Sequence, residues 1–387
     1  MQLYKLFPSG SLFGLGTKAD GILHDSFSNK HWSAIVVLSM RPFHKSVWIS
    51  AAAILCGAIT THARPQSSAY NDIREHGAVG DGVTDNCLAL QKAASACGQG
   101  TILVPAGRFA TSCGIALPES CSLLGVNAQS SVLLITASTA AAVSVGDAQH
   151  YAENQKIENL TIDANGLAKD GVYLRWFHSY TLRDVWVRNA LVNAFHFGDP
   201  GLPYPSYGVY VWNSTAYRGK GITIPKGSVG ILLDNATDNL VTGSSVVGSE
   251  TGIRVERGGN IFTNDHVWAF GPGWMSIGFD DNGFNNFWDG VEADTVRQTG
   301  LLVRRTGAMT IIRGCRFYNN AQGEDGVAVG IEFLAAKPTA TIADNVFLGA
   351  DASHRLALDV KLSQTANVTM AGNLARNTVR SVSVTAK

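Results

Sequence analysis

Two short patterns of apolar and polar positions alternate along residues 157–375. In the first, apolar residues stand at positions one and six around an Asn, Asp or Gly at position three. It recurs from Ile157 to Ile162, Leu182 to Val187, Phe262 to Val267, Ile312 to Phe317 and Ile342 to Phe347, with a degenerate copy from Phe287. From Phe262 to Phe287 to Ile312 each step is 25 residues, the period of a solenoid. Asn, Asp and Gly tolerate the left-handed backbone needed where a strand bends onto a new face, so Asp184, Asp289 and Asp344 read as bend residues.

The second pattern is a strand led by glycine: Gly171 to Arg175, Gly208 to Trp212, Gly230 to Asp234, Gly252 to Glu256, Gly300 to Arg304 and Gly330 to Leu334. A copy from Trp274 to Asp280 lacks the leading glycine. Short strands at this spacing, with no room for a helix between them, mean that each turn of chain stacks on the one before, as in a parallel β-helix. The interval from Gly171 to Gly208 exceeds one coil, which predicts a protruding loop from His196 to Tyr207.

The N-terminal part carries a second signature. It runs from His76 to Asp85, through a short helix to Ala96, then Gly100 to Gly107, and on to Ile162 and Asp163 ahead of Gly166. Asp81 and Gly82 suit a tight turn and Asp85 can cap the helix. No Lys-Ser or Lys-Thr follows the glycines, as a phosphate loop would require. This segment resembles the pectate-lyase-like and rhamnogalacturonase-like β-helix superfamily. The resemblance implies an all-β fold, a right-handed single-stranded parallel β-helix (solenoid) with a short N-terminal capping helix, and work on polysaccharide. Of the motifs that lie on successive coils in the related polygalacturonases, only Asp280 with Asp281 has a similar counterpart here. The resemblance therefore ranks that pair first among candidate acids.

Composition narrows the setting. With 45% hydrophobic and 16% charged residues, 41 glycines and 11 prolines, the chain suits many short strands and tight bends. Lys plus Arg and Asp plus Glu balance at 30 each, so the basic footprint of nucleic-acid binding is missing. Residues 1–39 read as an upstream extension and residues 40–63 as a signal peptide. The latter has a basic start at Arg41 to Lys45, an apolar run from Val47 to Ile59 and small residues near Ala63. That run is shorter than the ~20 residues a membrane span needs, so the mature chain, residues 64–387, is expected to be secreted, extracellular or periplasmic, without membrane insertion. It keeps Cys87, Cys97, Cys113, Cys121 and Cys315. Cys113 and Cys121, flanking Pro118, are the first candidates for a disulfide, and no spacing suggests a metal site.

Candidate chemistry follows from strand alternation. The residue four places after each leading glycine, together with Asp280 from the copy that lacks one, gives a column of Arg175, Trp212, Asp234, Glu256, Asp280 and Arg304. Adjacent coils lie about 4.8 Å apart, so stacked carboxylates would repel, raise a pKa or recruit a cation. As a glycoside hydrolase on an acidic extracellular polysaccharide, Asp234, Glu256, Asp280 and Asp281 would supply the acid and base. Arg254 and Arg304 would bind uronate carboxylates, and Tyr210 and Trp212 would stack against sugar rings. A Ca²⁺-dependent polysaccharide lyase would hold the ion on the same acids; otherwise no cofactor is expected. A non-catalytic glycan-binding β-helix of tailspike or adhesin type is the alternative from another class. A plain ladder of acids paired to Arg254 and Arg304, without catalysis, is the simplest reading. Asp170, ahead of Gly171, is a weaker candidate and equally a turn former, Trp268 and Trp288 suit coil corners, and His266 has no evident metal-ligand companion. Whether the chain assembles, for instance as a homotrimer, is left open.

Overall fold

The alternating apolar runs form strands that pair in parallel throughout the two sheets, each coil of chain laying one strand on its predecessor. The computed structural model describes residues 70–384, apart from 220–222, 271–274, 308, 319–324 and 363–366. They belong to one compact unit, Arg64–Lys387. The upstream extension and the signal peptide lie outside the described residues. Among these residues, eleven strands make one sheet and twenty-three make a longer one. No described helix is long and apolar enough to cross a membrane.

The eleven-stranded sheet keeps one register over most of its length. Val172, Phe195, Ile231, Ile253, Phe279, Leu301, Ile331 and Val360 pair in succession. All are buried, so this column faces the core. The leading glycines have a packing reason: a Cβ at Gly252 would come within 2.8 Å of Val267 Cγ1 on the facing sheet. The sheets approach too closely there for any side chain.

The longer sheet bends along one column, at Asn159, Asp184, Asn213, Gly243, Asn264, Gly290, Gly314, Asp344 and Gly372, all with positive φ. Asp184 and Asp344 are thus bend residues as expected. In the intervening coil Gly290, rather than Asp289, takes the left-handed position. The bend column divides the outer surface of this sheet into two faces.

Several sequence expectations shift by a residue or a face. Trp288, not Phe287, pairs with Phe262. Their rings stack at 4.0 Å and 10° in the core, so Trp288 fills the interior instead of covering a corner. The strand Ser206–Trp212 pairs with Phe177–Arg188 and belongs to the longer sheet. The coil between Gly171 and Gly230 is completed by Asn193–Phe197, which pairs with Ala168–Leu174. His196 therefore lies in a strand, and the loop begins after Phe197.

The helix Cys87–Ala96 caps the N-terminal end, burying Ala89, Leu90, Ala93 and Ala94. Its cap position is Asn86, while Asp85 accepts a hydrogen bond from the Cys87 N–H at 3.1 Å. The disulfides are Cys87–Cys113 and Cys97–Cys121, so Cys113 and Cys121 do not pair with each other. Each bridge joins one end of the helix to a separate segment of the first coils, tying the cap down at both ends. Cys315 is free and buried.

Candidate active site

The outer side of the eleven-stranded sheet carries two parallel rows of side chains. The first runs Tyr173, His196, Leu232, Arg254, Asp280, Leu302, Glu332 and Lys361 by strand register. The second begins just past the strand ends. There Asp234, Glu256, Asn282 and Arg304 donate backbone N–H groups to the carbonyls of Phe197, Leu233, Val255 and Asp281. Asp234 and Glu256 are therefore neighbours in one row, as the sequence spacing implied. Asp280 is not in that row. The leading glycine of its coil is Gly278, so Asn282 occupies the expected place and Asp280 stands in the first row. Asp281 pairs with Val255 and Val303 in an inward column and is 1% exposed. It faces the core, not a substrate.

The acids and bases of the two rows join one another. Asp170 accepts from Asn193 Nδ2 at 2.8 Å, and its other oxygen lies 3.0 Å from His196 Nδ1. The opposite ring nitrogen of His196 stands 3.5 Å from Asp234 Oδ2. Tyr173 stacks on the same imidazole with centroids 4.5 Å apart. Burial pulls the imidazole pKa down, but the carboxylates of Asp170 and Asp234 outweigh it and raise the value to about 9. His196 is an imidazolium at neutral pH.

Further along, Arg254 Nε holds Glu256 Oε1 at 2.6 Å, and Asn282 Nδ2 donates to Glu256 Oε2 at 2.5 Å. Arg304 grips Asp280 in bidentate fashion at 2.6 and 3.1 Å, with Arg254 Nε 3.8 Å away. Towards the N-terminal end, Arg175 Nε bonds Asp199 at 2.6 Å. Burial raises the Asp199 carboxyl, but the Gly201 N–H and Arg175 more than offset it and leave it below the usual range. Beneath this surface, Asp281 accepts from Trp288 Nε1 at 2.9 Å, Asn286 Nδ2 at 2.7 Å and the Gly283 N–H at 3.0 Å. Burial raises its pKa to about 6 despite those donors.

The acids do not fit a Ca²⁺ site as they stand. Both oxygens of Asp280 are taken by Arg304 and both of Glu256 by Arg254 and Asn282, while Asp234 faces the His196 imidazolium at 3.5 Å. Guanidinium groups already supply the positive charge that a calcium ion would bring.

Tyr210 and Trp212 are far exposed, but on the longer sheet, paired with Leu240 and Thr242. They do not line the carboxylate rows. His266 is not solitary: its ligand atoms lie within 4.8 Å of those of Glu292 and Asp294, also on the longer sheet. Arg316 pairs with Glu292 there and supplies the local positive charge. Sequence reasoning ranks Asp170 only as a weaker candidate, equally a turn former, and sets His196 in a loop. The signal for both was the alternation of Phe195 and Phe197 about His196, which marks a strand.

A family model described as "Rhamnogalacturonase A/epimerase, pectate lyase-like" matches residues 70–325. The pre-neck appendage protein of Bacillus phage phi29 is 27% identical over 178 residues, covering 42% of this chain and 19% of the phage protein. The preneck appendage protein of Bacillus phage PZA is 28% identical over 182 residues, with the same coverage. The chain thus spans 19% of the length of these curated relatives. Among solved structures, the A-module of the Azotobacter vinelandii mannuronan C-5 epimerase AlgE6 superposes with a TM-score of 0.54 at 14% identity, covering 81% of this chain and 96% of that one. The endo-xylogalacturonan hydrolase of Aspergillus tubingensis gives 0.55 at 14% identity, covering 79% and 93%. The Streptococcus pneumoniae surface adhesin PfbA gives 0.59 at 15%, covering 81% and 99%. These structural likenesses establish the shared solenoid fold.

Proposed function

Because the chain belongs to the rhamnogalacturonase A/epimerase, pectate lyase-like family, a carbohydrate-active β-helix family, we propose that it is a glycoside hydrolase of acidic extracellular polysaccharide, exported to act there. The observation that carries this reading is the joined set of Asp170, His196 and Asp234, followed one coil on by Glu256, on one outer face. His196 keeps its proton through neutral pH and passes it by way of Asp234 to the glycosidic oxygen as the C–O bond breaks. Glu256, oriented by Arg254 and Asn282, attacks the anomeric carbon, and water then releases the sugar. One coil step of about 4.8 Å suits this double displacement better than the ~6.5–9.5 Å gap that a single inverting displacement needs. The remaining N–H groups of Arg254 and Arg304 bind substrate carboxylates.

A screen of acidic polysaccharides, reading new reducing ends and the ultraviolet absorbance of unsaturated products, tests the reaction type. New reducing ends without that absorbance, with retained anomeric configuration by NMR and loss of both in Glu256→Gln, are the expected result. Unsaturated product would replace hydrolysis with a lyase reaction. A second reading, a non-catalytic glycan-binding appendage, is favoured by the stretch shared with the phage appendage proteins. Glycan binding without turnover, unchanged in Glu256→Gln, would establish it.

A further inference from the structure

On the other side of the bend column, the outer face of the longer sheet holds a cleft of about 470 Å³ lined by Trp186, Arg188, Thr215, Tyr217, Ser245, Val247 and Trp268. Register explains its shape. Trp186 and Arg188 pair with Thr215 and Tyr217, these with Ser245 and Val247, and Val247 with Trp268. The two indoles therefore stand three coil steps apart, roughly 14 Å along the axis, over a floor of small residues. Tyr217 forms a side wall, held edge-on by Phe270 at 5.9 Å.

Among the described residues, the polar groups of this trough find no partner. Neither indole N–H, nor the hydroxyls of Thr215 and Ser245, makes a hydrogen bond with another described residue. Arg188 lies over the Trp186 ring at 5.3 Å and forms no ion pair with a described carboxylate. By contrast, Arg175, Arg254, Arg304, Arg313, Arg316 and Arg355 each hold one. The acid in register with Arg188, Asp163, is engaged by Arg108 and Asn189 instead. Flat aromatic walls suit the C–H faces of sugar rings, and free hydroxyl and indole groups suit their hydroxyls. An unpaired guanidinium at one end suits an anion. At the other end Asp294 follows Trp268 in the same row and disfavours negative charge.

We propose that this cleft is a second saccharide site, separate from the carboxylate rows, which binds an acidic oligosaccharide with a uronate at Arg188 and a ring on Trp268. It does not depend on the hydrolase reading. In that setting it would keep the chain on its polysaccharide between cleavages.

The experiment is equilibrium binding of a short oligogalacturonate, and of a neutral xylo-oligosaccharide of equal length, to the full chain. Calorimetry gives the affinity and tryptophan fluorescence the contact. All proteins carry Glu256→Gln, so that turnover does not consume the probe. Trp186→Ala and Trp268→Ala are expected to weaken both probes about tenfold. Arg188→Gln is expected to weaken the oligogalacturonate alone. Unchanged affinity in all three variants overturns the site, and equal losses of both probes in Arg188→Gln overturn the anion assignment. A dimer in sedimentation that Trp186→Ala dissolves would assign the cleft to a second copy and also overturn the proposal. None of these variants touches the carboxylate rows, so turnover on long polysaccharide, measured with Glu256 intact, judges the hydrolase reading independently.

Discussion

Asp280 and Asp281 are consecutive residues of one strand, yet they occupy two different chemical environments. On the outer side of the ladder, Asp280 meets cations: Arg304 bonds both its oxygens and Arg254 stands nearby. On the inner side, Asp281 meets neutral donors only, from Trp288, Asn286 and Gly283. Both residues are almost wholly buried. Burial alone therefore does not separate them; the side of the sheet does. The outer face can assemble opposite charges from several coils, since each row repeats about every 4.8 Å. The interior is built of apolar columns and offers a carboxyl only dipoles.

The largest expected effect lies on the outer face, at His196. His196→Ala removes the proton store between Asp170 and Asp234 and should lower turnover by about 10²–10⁴-fold, the usual scale for an acid or base group. In the unmutated chain, activity should persist to about pH 9, where the imidazole loses its proton, and decline above it. The same group affects stability. Its folded pKa is raised, so its contribution is complete below the ordinary histidine value near 6.5 and is lost as pH climbs through about 9. A kcat profile with an unchanged alkaline limb in His196→Ala would remove His196 from the reaction.

The counterpart inside the ladder is Asp281, whose test is a pH dependence of stability. Its folded pKa is also raised, from 3.8 to about 6, so its contribution is present below the lower value and lost as pH rises through the upper one. Over that window it should cost about 3 kcal/mol of unfolding free energy. Asp265, buried and raised by desolvation, acts in the same direction and remains in the variant. Asp281→Asn should therefore flatten, without abolishing, the decline expected in urea unfolding between pH 4 and 7. An equally steep decline in the variant would mean that Asp281 is not the titrating group.

The same contrast explains what could be read from the chain. Spacing alone gave the parallel solenoid, the bends at Asp184 and Asp344, and the adjacency of Asp234 and Glu256. Each of these rests on a repeated local rule: a left-handed residue between faces, or a glycine where two sheets approach. The failures were failures of register. The copy from Trp274 was counted from a missing glycine, although Gly278 leads that strand, and a two-residue shift moved Asp280 to another row. Reading Asp280 and Asp281 as one pair ignored the alternation that sends neighbours to opposite sides. Gly208 led a strand of the right pattern in the other sheet, because a local motif does not say which sheet it joins. His196 was hidden for the opposite reason: its coil has Ala194 where the others have glycine. The disulfides escaped sequence reading because nearness along the chain does not report which segments the cap brings together.

On the outer face, the cost of removing a cation should follow the burial of its acid. Arg304→Gln strips Asp280, whose side chain is 3% exposed, of a bidentate partner, while Arg254 at 3.8 Å keeps part of the compensation. A loss of about 2 kcal/mol in urea unfolding at pH 7 is expected, below the ~3–5 kcal/mol seen when a fully enclosed pair is broken. Asp280→Asn added to Arg304→Gln should recover part of that loss, because the stranded charge is gone. No recovery would mean that the pair contributes packing rather than charge.

The smallest effect is expected at Arg313, which makes the same bidentate contact with Asp289 at 3.1 and 3.0 Å on the longer sheet. The two pairs use the same atoms, Nε to Oδ1 and Nη2 to Oδ2, but the Asp289 side chain is 32% exposed and that of Arg313 54%. Water can solvate either ion once the other is removed, so the pair contributes little. Arg313→Gln should leave Tm unchanged within error at moderate salt, although Arg313 also packs over the Phe287 ring at 4.8 Å. A loss as large as that of Arg304→Gln would show that bidentate geometry, and not burial of the acid, sets the worth of these pairs. A loss confined to Arg313→Ala and absent from Arg313→Gln would trace it to the stem over Phe287.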